Sequence, residues 1–177
     1  MSENVEAVST FSIGLKAALR EDADVVMVGE MRDLETISLA LTAAETGMLV
    51  LGTLHTNNAR KTVDRIVDVF PSNRQPQIRT MLATSLRGVV AQLLMRRADA
   101  SGREAAFEVL VGNNAVSAII REGKTEKLYD SMISGRNEGM RSMDDSIMEL
   151  MEAELVTPEE ATLKAFEKSR FQPYLAP

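Results

Sequence analysis

Two short, uninterrupted apolar runs separated by a single helical pattern constrain this chain more than any other feature. The first run is Val25-Val26-Met27-Val28 and the second is Met48-Leu49-Val50-Leu51. Each is short for a buried helix and lacks the alternation of a half-solvated strand, so each reads as a strand buried on both faces. Between them Asp33 is a candidate N-cap, Leu34, Ile37, Leu41 and Ala44 form an apolar stripe, and Gly47 stops the pattern. Strand, helix and strand within about 30 residues predict a βαβ unit, with parallel strands and a right-handed crossover.

The flanks are mostly helical. Ahead of the first strand, Phe11, Leu15, Ala18 and Leu19 repeat with helical spacing that ends near Glu21-Asp22. After the second strand a helix is expected over 58–69, halted at Phe70-Pro71. A longer one is expected over 75–91, with Ile78, Met81, Leu82, Ser85, Leu86 and Val89 on one side. Residues 92–97 and 103–111 then read as a hairpin around the Gly-containing loop 98–102. Asn113 or Asn114 caps the next helix, with Val116, Ile119 and Ile120 inward. Ser142 with Asp145 resembles a capping box ahead of Met143, Ile147, Leu150 and Met151, and Thr157-Pro158-Glu159-Glu160 is a stronger start signal. Residues 135–139 read as a flexible connector. No internal repeat or low-complexity tract interrupts this order. The expected organisation is a polar lead over 1–10, an α/β core over 11–112 and a helical region over 113–177, with a soft boundary near 112–115.

Composition narrows the function classes. The 177 residues suffice for one domain of ordinary size or a large domain with a helical appendix. The formal charge of −6 argues against a non-specific nucleic-acid partner. The absence of cysteine excludes a disulfide framework and every thiolate metal site, and fits a reducing compartment. The longest apolar stretches fall far short of the roughly 20 residues that span a bilayer. The first ten residues carry Glu3 and Glu6 and no basic residue, unlike a signal peptide. A cytoplasmic location is the expectation.

In parallel sheets functional loops gather at the carboxyl ends of the strands. The first strand ends at Gly29-Glu30 and the second at Thr53-Leu54-His55-Thr56. Direct neighbours lie about 5 Å apart, which would project Glu30 and His55 from one edge. An apolar strand ending in an acid is the Walker B pattern of P-loop ATPases, where the carboxylate positions the attacking water or reaches Mg²⁺ through water. Many ordinary strands also end in Glu. His55, the one histidine of the chain, reads either as a hydrogen-bonded loop residue or as a neutral donor to a phosphate oxygen. Arg32 reads as a surface residue or a phosphate contact, and Asp33 as a cap. Arg96, Arg97 and Arg103 form a solvated hairpin face or, as the minor reading, an intersubunit salt-bridge cluster. The methionines of the helical region are core packing.

These residues carry a family signature. The segment from Asp24 to Asp33, DVVMVGEMRD, resembles the Walker B segment of the hexameric type IV pilus and type II secretion ATPases. Leu34-Glu35-Thr36 and Leu41-Thr42-Ala43-Ala44-Glu45-Thr46-Gly47 resemble the helix that follows it, and Gly52-Thr53-Leu54-His55-Thr56 resembles the family's His box. The resemblance covers almost everything from Phe11 onward. Within the family it is closest to the type IV pilus retraction motor, in its carboxy-terminal half. Secretion and extension relatives commonly carry a four-cysteine zinc insertion, and this chain has no cysteine. The segment from Ala115 to Glu122 is similar to a retraction-motif helix, agreeing at Ile119, Ile120, Arg121 and Glu122. Ser117 and Ala118 depart from the usual Arg and Asn.

The resemblance implies a partial RecA-like P-loop NTPase core of parallel strands, helices and a hairpin, followed by a helical region. It implies Glu30 as the glutamate that orients water on the γ-phosphate, and His55 as the group that senses that phosphate. Gly29, Arg32, Thr53 and Thr56 would lie close to it. It further implies ATP and Mg²⁺ as cofactors, a homo-hexamer, pilus platform proteins as partners, and work on the cytoplasmic side of the inner membrane. A complete motor also needs the loop G-x-x-x-x-G-K-[ST], whose amides and Lys hold the phosphates. The sequence contains none: residues 135–142 have two glycines at the wrong spacing, and Met140 stands where the Lys should be. The family's upstream acidic motif and amino-terminal domain are absent as well. The expectation is a truncated form, a partial gene product or a degenerate paralogue. Alone it should bind MgATP weakly or not at all and be inactive, and its unpaired sheet edge should drive self-association. A non-catalytic module that docks on a pilus or secretion hexamer is the alternative.

Overall fold

The computed structural model describes residues 23–175. The polar lead and the helix expected around Phe11, Leu15, Ala18 and Leu19 lie outside the described residues. By packing, the chain divides into two compact units: residues 23–55 with Arg65–Ser85, and Thr56–Asp64 with residues 86–175.

The first unit is built on the βαβ element. Strand β1 (Val25–Val28) pairs in parallel with β2 (Leu49–Gly52), in a register that sets Val25 opposite Leu49 and Val28 opposite Gly52. Helix α1 (Leu34–Glu45) crosses between them. Its start follows from Asp33, whose carboxylate accepts the Thr36 N–H at 2.8 Å and the Thr36 hydroxyl at 2.9 Å. Its end follows from Gly47, which adopts φ +103° and lets the Met48 N–H turn back to the Ala43 carbonyl at 3.2 Å.

Two expectations are corrected here. The buried stripe of α1 is Thr36, Ile37, Ala40, Leu41 and Ala43, while Leu34 is exposed. Small residues on that face allow close approach to the strands, where Val28 and Ala40 pack with Val26, Met31, Leu39 and Val50. Among the described residues the strands are also not covered on both faces. Val25, Met27, Leu49 and Leu51 share the opposite face and are 47% to 75% exposed. One helical layer covers one face only among the described residues. Helix α3 (Gln75–Ser85) packs against α1 and completes this unit, and helix α2 (Ala59–Asp68) is divided between the units at Asp64.

The second unit holds a long antiparallel hairpin, β3 (Gly88–Arg96) with β4 (Arg103–Val111), in a register running from Gly88 opposite Val111 to Arg96 opposite Arg103. The helix expected over 75–91 therefore stops early, at Ser85. Gly88 breaks the helical ladder, and Val89-Val90 favour a pleated surface whose partners on β4 are already extended. Gly112 has a specific packing reason: a Cβ there would collide with the Leu86 carbonyl, while its N–H donates to the Arg87 carbonyl at 2.8 Å.

Alternation then sorts the hairpin side chains. Val89, Ala91, Met95, Ala106, Glu108 and Leu110 are buried. Helices α4 (Asn114–Glu122), α5 (Leu128–Ser134), α6 (Met143–Glu152) and α7 (Pro158–Lys164) follow. Their caps come from Asn113, Ser142 and Thr157, which accept from the N–H groups of Val116, Asp145 and Glu160. The hairpin packs on α6 and α7 around Met95, Met143, Ile147, Met151 and Phe171. The element type thus changes from strand to helix at 112–115 while packing runs across that point. Residues 136–138 form one 3-10 turn, and Gly135 before it is buried against Met140. No described helix is long and apolar enough to cross a membrane.

Candidate active site at the carboxyl ends of the parallel strands

The loops after β1 and β2 are stitched together. The Thr53 hydroxyl donates to the Gly29 carbonyl. The Met31 N–H donates to the Thr53 carbonyl at 2.9 Å, and the Thr53 N–H to the Val28 carbonyl at 3.4 Å. Residues 29 and 31 are therefore anchored on both sides of Glu30. The Glu30 side chain is 21% exposed, and Nε2 of His55 lies 3.1 Å from its Oε1. The Arg32 Nε pairs with the same oxygen. Arg32 and His55 themselves are 74% and 84% exposed.

Electrostatics follow from this arrangement. Hydrogen bonding from the Arg32 guanidinium, with its charge and that of His55, holds Glu30 below the usual carboxylate range against a smaller desolvation effect. Glu30 in return raises Arg32. Asp33 is also lowered, by the Thr36 N–H and hydroxyl it caps. The rim thus presents one ionised carboxylate between two exposed nitrogen donors. Such a group can accept a hydrogen bond from water, and donors of that kind can meet an anionic oxygen.

The sequence-predicted residues Gly29, Glu30, Arg32, Thr53 and His55 come together in the first unit. Thr56 belongs to the second unit, where its hydroxyl lies 2.7 Å from that of Thr62. Ile119, Ile120, Arg121 and Glu122 lie on α4 of the second unit, with Ile120 buried, Ile119 half-buried, and Arg121 and Glu122 exposed. No cluster of three or more His, Cys, Asp or Glu residues able to hold a metal ion occurs among the described residues.

The family described as Type II/IV secretion system protein matches residues 3–169. The chain belongs to that family. Among the relatives of this secretion-system family member is a "Twitching motility protein" of Neisseria gonorrhoeae, 51% identical over 156 residues, which are 88% of this chain and 42% of the relative. The type IV pilus retractation ATPase PilT of Pseudomonas aeruginosa is 48% identical over 155 residues, covering 88% of this chain and 45% of that protein. The crystal structure of the pilus retraction motor PilT with bound ADP superposes with a TM-score of 0.83 at 42% identity. That match covers 96% of this chain and 47% of the motor. The fold of this secretion-system chain is accordingly the α/β fold of these ATPases followed by helices. It spans less than half the length of the curated relatives it matches.

The grip of Arg32 on Glu30 had no sequence signal beyond proximity, because an exposed arginine can fold toward many partners. Glu108 of the second unit was also missed. Its side chain is almost fully buried and accepts the Ala59 N–H. Its phase in β4, between the inward Ala106 and Leu110, was the available signal.

Proposed function

We propose that this chain is the Walker B and His box portion of an ATP-hydrolysing motor that drives type IV pilus retraction and twitching motility. The observation that carries the reading is the 3.1 Å approach of His55 to Glu30, at the tips of neighbouring parallel strands, in a chain close to PilT and the gonococcal twitching protein. Glu30 takes the part of the carboxylate that orients water for attack on the γ-phosphate. His55 contacts that phosphate and responds to its loss, and Arg32 offers a second donor beside it.

The donor set suits a terminal phosphate, which Arg32 and His55 would hold together, with Glu30 approaching Mg²⁺ only through water. When bound, the ion would neutralise charge developing on the phosphates. The rest of a triphosphate needs backbone amides and a lysine, and the sequence contains no loop of that kind. This chain on its own therefore holds MgATP weakly or not at all and does not turn it over. The working state is a homo-hexamer on the cytoplasmic side of the inner membrane, acting on pilus platform proteins.

The test is complementation. Joining a P-loop half to this chain, in cis or in trans, is expected to give ATP hydrolysis that Glu30→Gln lowers by about 10²- to 10⁴-fold. Hydrolysis that survives Glu30→Gln would remove the reading. Calorimetry on the 177-residue chain alone is expected to show no tight MgATP binding, and micromolar affinity would contradict the weak-binding part.

A further inference from the structure

We propose that Arg32 is the positioning residue of this site: it holds Glu30 by Oε1, with His55 as a second and weaker hold, and so fixes the direction in which Oε2 can accept. This rests on the reading of Glu30 as the water-orienting carboxylate and deepens it.

Three observations carry the argument. The backbone on both sides of Glu30 is pinned to Thr53, at Gly29 through a hydroxyl and at Met31 through an amide. The remaining freedom of Glu30 is therefore in its side-chain torsions. Both holding groups make their closest approach to the same oxygen, Oε1. A carboxylate gripped at one oxygen keeps the other for water, in a fixed direction. That is what orientation of a nucleophile requires. The holders are also far more exposed than the group they hold. A ligand oxygen arriving at the rim meets Arg32 and His55 before it meets Glu30.

Arginine suits this task for a physical reason. Its planar guanidinium presents N–H groups in fixed directions, whereas a lysine ammonium supplies a charge on a flexible stem. Lysine at position 32 would keep attraction and lose direction. The order of the two holds follows from chemistry too, since the guanidinium is always charged and the imidazole only when protonated.

The test is side-chain NMR on the 177-residue chain labelled with ¹⁵N-arginine and ¹³C-glutamate. The Arg32 Nε–H signal is expected to exchange slowly and to shift in Glu30→Gln. The Glu30 carboxyl midpoint is expected below the ordinary glutamate range. It should rise toward that range in Arg32→Gln, rise less in His55→Gln, and be partly restored in Arg32→Lys. Amide spectra matching the parent chain verify folding, which the exposure of Arg32 favours. An unchanged Glu30 midpoint in Arg32→Gln overturns the proposal, as does a larger rise in His55→Gln. Neither readout involves hydrolysis. A failed hold with hydrolysis still lost in Glu30→Gln removes Arg32 and keeps Glu30. A verified hold with hydrolysis indifferent to Glu30→Gln removes the ATPase reading and keeps the hold.

Discussion

Glu108 caps the start of helix α2 from 49 positions away, its Oε1 accepting the Ala59 N–H at 2.6 Å. The carboxylate comes from the inward face of β4, so a charge-bearing group occupies a core phase of the hairpin. Burial pushes its protonation upward, and the Asp144 charge adds to this. The N–H groups of Ala59 and Met143 pull the other way. The net shift is upward.

The sign of the pH effect follows. Between the ordinary glutamate pKa and the raised folded value, the native state binds more protons than the unfolded state, so this group makes stability fall as pH rises through that window. Glu108→Gln keeps an acceptor for Ala59 and removes the titration. It is expected to flatten that fall in denaturant titrations at stepped pH. Glu108→Ala leaves the Ala59 N–H buried without a partner and is expected to cost about 1–3 kcal/mol. A steeper pH dependence in Glu108→Gln would contradict this account.

Asp33 behaves in the opposite sense. Its carboxylate is held below the ordinary aspartate value by the Thr36 N–H and hydroxyl. The stability it contributes is present above the unfolded pKa and is lost as pH falls through the folded one. Asp33→Ala is expected to lower stability by about 1 kcal/mol at neutral pH, with a smaller difference in acid. Asp33→Asn, which also caps, should recover most of the loss in thermal melts at pH 7.

Gly112 offers a purely steric test. Its missing Cβ makes room for the Leu86 carbonyl, a backbone atom that cannot rotate away. Gly112→Ala is expected to destabilise the chain by about 1–3 kcal/mol, whereas Gly102→Ala meets nothing within 4 Å. Gly102 does sit at φ +151°, at the limit of the region that disfavours side chains, so its substitution tests backbone strain alone. Equal effects at the two positions would refute the collision.

How much of this was legible in sequence depends on which force decides each element. The β1 and β2 runs were readable because both are apolar, short and bounded by turn residues. Parallel pairing followed from the intervening helix, and with it the shared edge of Glu30 and His55. The end of α3 was not readable. Ile78, Leu82, Leu86 and Val89 continue a helical period that masks the local break at Gly88, and the long-range pairing of Val89 with Leu110 holds the chain extended there. The exposed strand face was likewise invisible, since an all-apolar run states a preference for cover without saying what supplies it. Glu30 could be named from its place at a strand tip; its hold by Arg32 is a side-chain torsion that no spacing encodes.

The uncovered face of β1 and β2 should make the chain associate. Four apolar side chains on a pleated surface form a patch that water does not favour. Light scattering after size exclusion is expected to show mass above 19.4 kDa as concentration rises. Met27→Lys with Leu51→Lys should return it toward the monomer. A parent chain that stays monomeric at high concentration would count against the patch.

The same face has a chemical consequence. Met95, Met132, Met140, Met143 and Met151 are shielded inside the second unit, whereas the thioether of Met27 stands open to solvent. Mild peroxide should therefore convert Met27 to its sulfoxide before it reaches those five. The added S=O dipole would make the strand face wetter without touching a packed interior, so an oxidative history could alter how this chain sticks to itself while leaving its folded cores intact.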